Sequence, residues 1–287
     1  MNNLIELVNK KLDEYLNVEY PESIFKAMKY TLMLPGKRLR PVMCLETVRM
    51  LGGDMESALP TACAIEMLHV QSLIHDDLPC MDNDDFRRGK PSNHKVFGEA
   101  NAVLAGDALL TYAPQLIIEK SNKLAPETIL NLVHEYTKFA GAYALIAGQV
   151  VDIESEGGKL TKPAEETLNF IHLNKTAALF RLAIRSGAII ANKSKLDELD
   201  KFAENFGLAF QIYDDIMDEI STFEELGKTV GKDKNSNKLT YVSLYGLDEA
   251  KKKFELLIND CYGIVNKYNS KIFINILNKL RERILGV

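Results

Sequence analysis

The chain has 287 residues, of which 46% are hydrophobic, 26% charged and 8% aromatic, and its 35 Lys+Arg against 40 Asp+Glu leave a formal net charge of −5. That apolar fraction can fill a sizeable core and argues against disorder, while the mild acidity argues against a dedicated nucleic-acid binder. The longest uncharged run, Phe139 to Val151, is 13 residues, short of the ~18–20 apolar residues of a membrane helix, so no membrane span is expected.

Helical periodicity dominates from the first residues. The N-terminal stretch mixes apolar positions with Glu6, Lys10, Lys11, Asp13 and Glu14, which reads as an amphipathic helix and not as a secretion signal. The i, i+3, i+4, i+7 pattern predicts helices over about 4–16, 22–34, 40–51, 56–78, 98–119, 127–148, 165–190, 196–217, 239–260 and 262–284. Ser194 followed by Asp197 is a candidate start for the helix from Leu196. Breakers separate these segments: Pro35-Gly36, Gly52-Gly53, Gly89-Lys90-Pro91, Gly157-Gly158 and the stretch Gly227 to Lys238. No proline follows Pro163, which suits a long helical second half because a proline in a helix interior costs ~3 kcal/mol. No strand-length alternation is found, and no long flexible linker. The expectation is one all-α domain of about ten helices over residues 1–287. Cys44, Cys63, Cys80 and Cys261 form neither a CxxC pair nor a zinc spacing and are read as reduced thiols of a cytoplasmic protein.

One long-range echo stands out: an aspartate cluster at 76 and another at 214, 138 residues apart. In Gln211-Ile-Tyr-Asp214-Asp215-Ile-Met-Asp218, Asp214 and Asp218 share one helix face. Carboxylates in so apolar a helix are costly unless compensated, and converging acids raise each other's pKa. Hard divalent cations such as Mg²⁺, which take oxygen ligands, answer both problems. The first cluster is His75-Asp76-Asp77-Leu-Pro79-Cys-Met-Asp82-Asn-Asp84-Asp85. Asp76 and Asp82 are six residues apart and would diverge on a straight helix, but Pro79 between them should bend or end it and let Asp82 swing back beside Asp76. An isolated cluster of this kind could be a solvated helix end; two, each after a long apolar helix, make a metal site the better reading.

Cations lie around these acids. Arg87-Arg88-Gly89-Lys90 follows the first cluster directly, Gly36-Lys37-Arg38-Leu-Arg40-Pro41 occupies an early turn, Lys175-Thr176 falls in an amphipathic stretch, and Lys228 and Lys238 bracket a Gly- and Asn-rich loop. Arginine forks and lysine ammoniums are the usual phosphate partners, and Mg²⁺ is commonly held by one or two carboxylates plus substrate phosphates. The combination points to a diphosphate substrate, although any single basic turn is more often merely solvated. LGKT at 226–229 is not a P-loop, since Thr222 stands where glycine is required. His69, seven residues before Asp76 and on nearly the same face, is as well placed for a diphosphate contact as for a structural role. His94, His134 and His172 are read as structural, and Gln149 and Asp152 as support for the site floor.

Glu66 to Ala100 and Phe210 to Asp218 resemble the two aspartate-rich motifs of the trans-isoprenyl diphosphate synthases, of the bacterial farnesyl and geranylgeranyl type. Pro35 to Pro41, Gly148 to Asp152, His172 to Thr176 and Leu226 to Tyr241 match further signatures in the family's order. A small departure is Ser92, where threonine is commoner. The resemblance implies an antiparallel helical bundle around a deep cavity, usually a homodimer, condensing isopentenyl diphosphate with an allylic diphosphate. It implies three Mg²⁺ ions, with Mn²⁺ as a substitute: Asp76 and Asp82 hold two and Asp214 the third, with Asp77, Asp215 and Asp218 in or next to their shell. Arg87, Lys175, Lys228 and Lys238 would grip the allylic diphosphate, and Lys37, Arg40, His69 and Arg88 would hold isopentenyl diphosphate. Thr176 and Gln211 would face the allylic cation with oxygen dipoles. For product length, the resemblance points to the position five before the first aspartate, usually a bulky aromatic in bacterial farnesyl synthases. Here it is Gln71, with the small Ser72 one ~5.4 Å turn below Asp76, which leans from a strict C15 product toward C20 unless another residue, such as Tyr112 or one near Leu104, closes the pocket.

Three rivals are weaker. A class I terpene cyclase would usually mix Asn, Ser or Thr with Glu in its second motif, against the DDIMD at 214–218. A metallophosphohydrolase suggested by His75-Asp76 lacks further histidine ligands. A regulatory subunit of a heteromeric synthase typically lacks an aspartate motif, whereas both are present here.

Overall fold

The computed structural model describes residues 1–156, 158, 160–192, 196–220 and 239–286. The described elements are α1 (Asn2–Tyr15), α2 (Glu22–Leu32), α3 (Leu39–Met50), α4 (Met55–Asp76), the strand pair β1 (Phe86–Arg87) and β2 (Lys90–Pro91), α5 (Asn93–Phe97), α6 (Glu99–Lys120), α7 (Pro126–Ala140), α8 (Leu145–Glu156) and α9 (Ala164–Ile171). A π-helical stretch His172–Ala177 leads into α10 (Ala178–Ile190), followed by α11 (Leu196–Ile220), α12 (Tyr241–Tyr245), α13 (Leu247–Val265), a 3₁₀ turn Asn266–Tyr268 and α14 (Lys271–Leu285). The all-α expectation holds. The packing divides into two compact units, one of residues 1–137 and 186–192, the other of 138–185 and 193–287.

α4 forms the spine of the first unit. Its residues are small or apolar all round, it is buried without a break from Ser57 to Leu68, and such a helix belongs in a core. It packs against α1, α2, α3 and α6, and Asp54 caps it by accepting from the Glu56 amide at 3.0 Å. In the second unit α11 is the equivalent spine. The Phe202–Phe206–Phe210–Tyr213 ladder runs along it at i, i+4 and i, i+3 spacing and meets Phe180 of α10, Phe254 of α13 and Phe273 of α14, with ring centroids 4.9–6.5 Å apart.

Several predicted boundaries move, each for a local reason. The segment 127–148 is two helices, because the chain leaves the helix at Gly141 and turns through Ala144 before α8; periodicity runs through such a break, but glycine costs a helix ~1 kcal/mol. The segment 239–260 is also two, split by Gly246 at φ +80 after a capping box between Thr240 and Ser243. α13 then runs on to Val265, and the last helix starts only at Lys271, capped by Ser270. The expectation of no strands fails for one short ribbon, in which Phe86 pairs Pro91 and Arg87 pairs Lys90. Arg88 and Gly89 at its tip both have positive φ, 54 and 75, the primed turn that joins two strands most tightly. All four cysteines are free, with only Cys80 exposed.

One ion pair ties the first unit together. Arg38, in left-handed backbone at the start of α3, is 2% exposed. It donates from Nε to Asn9 of α1, from Nη1 to Glu66 of α4, each at 2.8 Å, and from Nη2 to the Leu32 and Leu34 carbonyls at 2.8 and 2.9 Å. Four of its five N–H groups are met, one of them by a carboxylate, so the charge is tolerated. Removing one member of such a pair costs about 3–5 kcal/mol, and Glu66→Leu is expected to lower unfolding stability by that amount in urea titrations. Lys26→Ala, at a pair on the exposed face of α2, should change stability by less than about 0.5 kcal/mol.

Candidate active site

The first aspartate cluster sits where α4 stops. The helix ends at Asp76, three residues before Pro79, because proline lacks an amide donor and disfavours helical backbone in the residue before it. The chain then folds back: the Asp82 amide donates to the Asp76 carbonyl at 2.9 Å, and the Met81 and Asn83 amides donate to Leu78 at 2.9 and 3.1 Å. Asp82 is thereby brought beside Asp76 as Pro79 predicts. The neighbouring carboxylates have different surroundings. Asp76 is half-buried and Asp82 exposed, whereas Asp77 is 1% exposed and accepts a forked pair from Arg87, whose Nε lies 3.0 and 3.2 Å from its two oxygens. Burial is the largest influence on Asp77 and pushes its carboxyl up, against the opposing pull of Arg87. Arg87 also lies 3.6 Å from Asp84. Asp77 thus orients a cation, and the outward oxygens of this cluster belong to its neighbours.

The ribbon tip carries Arg88 toward the early basic turn. Its Nη1 donates to the Leu34 carbonyl at 3.3 Å, and its guanidinium covers Gly36 so closely that a Cβ there would fall 2.5 Å from Nη1. His69 stands on α4, seven residues before Asp76. Burial, and then the charges of Arg40, Arg88, Arg87 and Arg38, hold its pKa well below the ordinary value. Lys37 is exposed and Arg40 half-buried. The Ser72 hydroxyl donates to the His69 carbonyl at 2.9 Å, and the Gln71 side-chain amide lies 3.0 Å from Nδ1 of His75. Ser92, the departure noted above, is fully buried with Oγ 3.1 Å from Nδ1 of His94, so His94 has the structural role expected of it.

In the second unit the same division recurs on α11. Asp214 is exposed and Asp218 half-buried on one face. Asp215 is 6% exposed and accepts from the Gln211 side-chain amide at 3.0 Å and the Tyr241 backbone amide at 2.8 Å, with His172 3.8 Å away. The Gln211 carbonyl oxygen in turn accepts the Thr176 hydroxyl at 2.7 Å. Lys175 pairs with buried Asp152 at 2.6 Å, which gives that acid the supporting place expected for it. Lys175 and Thr176 both belong to the π-helical stretch, a geometry common at functional sites. Two glycines seat this stretch. A Cβ at Gly148 of α8 would fall 2.4 Å from the Lys175 amide nitrogen, and one at Gly207 of α11 would fall 2.4 Å from the Ala177 Cβ. Lys228 and Lys238 lie outside the described residues.

Among the described residues no three His, Cys, Asp or Glu side chains form a ready-made metal cage. The donor set nevertheless fits magnesium: the outward-facing groups are all carboxylate oxygens, and Mg²⁺ commonly takes one or two of these and completes its shell with water and phosphate. Sequence reasoning did not single out Arg38 as the structural member of the KRLR turn, since three clustered basic residues look alike until one is buried. It also did not see the pairing of Arg87 with Asp77; their ten-residue separation depends on a ribbon too short to show periodicity.

A family model described as Polyprenyl synthetase matches residues 21–279, and the chain belongs to that family. It is 49% identical over 257 residues to the farnesyl diphosphate synthase of Geobacillus stearothermophilus, covering 88% of this chain and 86% of that protein. It is 44% identical over 268 residues to the geranylgeranyl diphosphate synthase of Cyanophora paradoxa, covering 93% and 89%. The solved structure of a geranyltransferase from Helicobacter pylori, complexed with magnesium and isoprenyl diphosphate, matches with a TM-score of 0.85 at 31% identity, covering 100% of this chain and 96% of that one.

The lowered pKa of His69 has a consequence for stability. An unfolded histidine takes its proton near 6.5, while folded His69 stays neutral to lower pH, so the unfolded state binds more protons in that window and stability falls as the pH drops below about 6.5. Urea unfolding of His69→Gln is expected to fall less between pH 7 and pH 5 than that of the wild type.

Proposed function

We propose that this chain is a short-chain prenyl diphosphate synthase that joins isopentenyl diphosphate to an allylic diphosphate and yields farnesyl or geranylgeranyl diphosphate. One observation carries the reading: both aspartate-rich segments bury one acid in a fixed hydrogen-bond role and present its neighbours on the half-buried or exposed side, with phosphate-binding cations on the same or adjacent elements. Membership of the family and the names of the relatives support it.

Asp76 and Asp82 of the first cluster, and Asp214 and Asp218 of the second, would hold the metal. Magnesium, when bound, neutralises charge building on the departing diphosphate; three ions are proposed, as for the family. Arg87 and Lys175, held by Asp77 and Asp152, meet the allylic diphosphate, joined by Lys228 and Lys238. Lys37, Arg40, His69 and Arg88 receive isopentenyl diphosphate, whose anionic groups suit the arginine forks and the lysine ammonium. The single proton of the Thr176 hydroxyl is committed to Gln211, so its oxygen can offer only lone pairs to a nearby carbocation. The allylic carbon loses its bond to diphosphate, the isopentenyl double bond attacks the resulting cation, and the proton lost from the new chain passes to the released diphosphate.

Further parts of the proposal are that residues 1–287 act as one catalytic domain, supported by a family match that runs through both packing units, and that the enzyme works in the cytoplasm as a homodimer. Ile146, Val150 and Ile153 support the dimer: they form an apolar stripe on α8 that is 43–48% exposed.

Diphosphate release should require Mg²⁺ and both substrates together; release without isopentenyl diphosphate indicates a cyclase or hydrolase instead. Asp214→Ala is expected to lower kcat by about 100-fold or more with an unchanged circular dichroism spectrum, and near-normal turnover refutes its metal role. Conversion of labelled farnesyl diphosphate tests the C20 product.

A further inference from the structure

We propose that His75 is a positioning residue for product length, acting through Gln71; this rests on the elongation reading above. His75 follows Ile74 on the last turn of α4, but its ring turns to α6. Nε2 lies 3.1 Å from the Val103 carbonyl oxygen, with an Asp107 carboxylate oxygen 3.9 Å away. A carbonyl oxygen only accepts, so the proton is assigned to Nε2, and Nδ1 is left with its lone pair. The Gln71 amide nitrogen, 3.0 Å from Nδ1, donates to that lone pair. Gly106 makes the arrangement possible: a Cβ there would fall 2.0 Å from Nε2 of His75, so the ring occupies the volume a side chain on α6 would take.

The effect is to store Gln71. Side chains on a helix normally lean toward its N-terminus, but this amide is drawn the other way, to the residue four positions on. It is 9% exposed, and its length lies along the seam between α4 and α6. A residue as long as glutamine therefore takes little space beside Ser72, whose own hydroxyl is tied to His69. Without His75 the amide becomes a buried donor lacking its partner and moves to another rotamer to find one. The Gln71 side chain then reaches beyond the seam and shortens the room for the growing chain.

The test supplies the whole enzyme with isopentenyl and dimethylallyl diphosphates and reads the distribution of product lengths. His75→Leu and Gly106→Ala, which sets a methyl where the ring lies, should each move the ratio toward the next shorter product by about fivefold, the equivalent of ~1 kcal/mol. In a Gln71→Ala background neither change should move the ratio further. An unchanged distribution in either variant that still turns over overturns the proposal, as does a shift of equal size in the Gln71→Ala background. Gly106→Ala leaves the residue beside Asp76 intact and decides the matter should His75→Leu fail to fold. A wild-type enzyme that forms no condensation product overturns the elongation reading itself, an outcome distinct from unchanged product lengths.

Discussion

Adjacent residues on a helix point about 100° apart, and in each of the two aspartate pairs one carboxylate, Asp77 or Asp215, is turned inward. Everything at the two aspartate clusters follows from how that inward acid is satisfied. At the end of α4, Asp77 is met by the fork of Arg87, and a two-residue ribbon with a primed turn exists to bring that arginine back. On α11, Asp215 is met by neutral donors, the Gln211 amide and the Tyr241 backbone. A buried acid without such partners would cost several kcal/mol or lose its charge. Because it has them, the outward acids keep fixed positions and the attached cations and hydroxyls acquire theirs.

The two solutions differ in kind. Arg87 brings a full positive charge that also lies 3.6 Å from Asp84, so the first cluster couples its carboxylates to a cation directly. The second keeps its cation, Lys175, on a different acid, Asp152, and uses Gln211 to link Asp215 to the Thr176 hydroxyl. Among the described contacts, the first cluster turns on a charged fork and the second on a chain of hydrogen bonds through Gln211, although the two motifs look alike.

Much of this could be read from residues alone. The spacing of Asp214 and Asp218 fixed their shared face, and Pro79 predicted that Asp82 would return to Asp76. Long helices such as α4 and α11 follow from unbroken apolar periodicity. The turns at Gly141 and Gly246 do not, because a hydrophobic stripe can continue through a break that one glycine permits. The π-helical stretch has no periodic signal either: one extra residue in a turn shifts the register of everything after it, and the close approach of Gly148 and Gly207 comes from other helices. The role of Arg38 depends on burial, which a basic run does not reveal.

Gly148 seats Lys175 through the main chain, with no side chain interposed, and Gly207 packs against the neighbouring Ala177. Core residues elsewhere can drift in size over generations and be accommodated by their neighbours, but a contact between backbones has no such slack. The backbone at Lys175 is therefore insulated from ordinary variation in the size of the side chains around it.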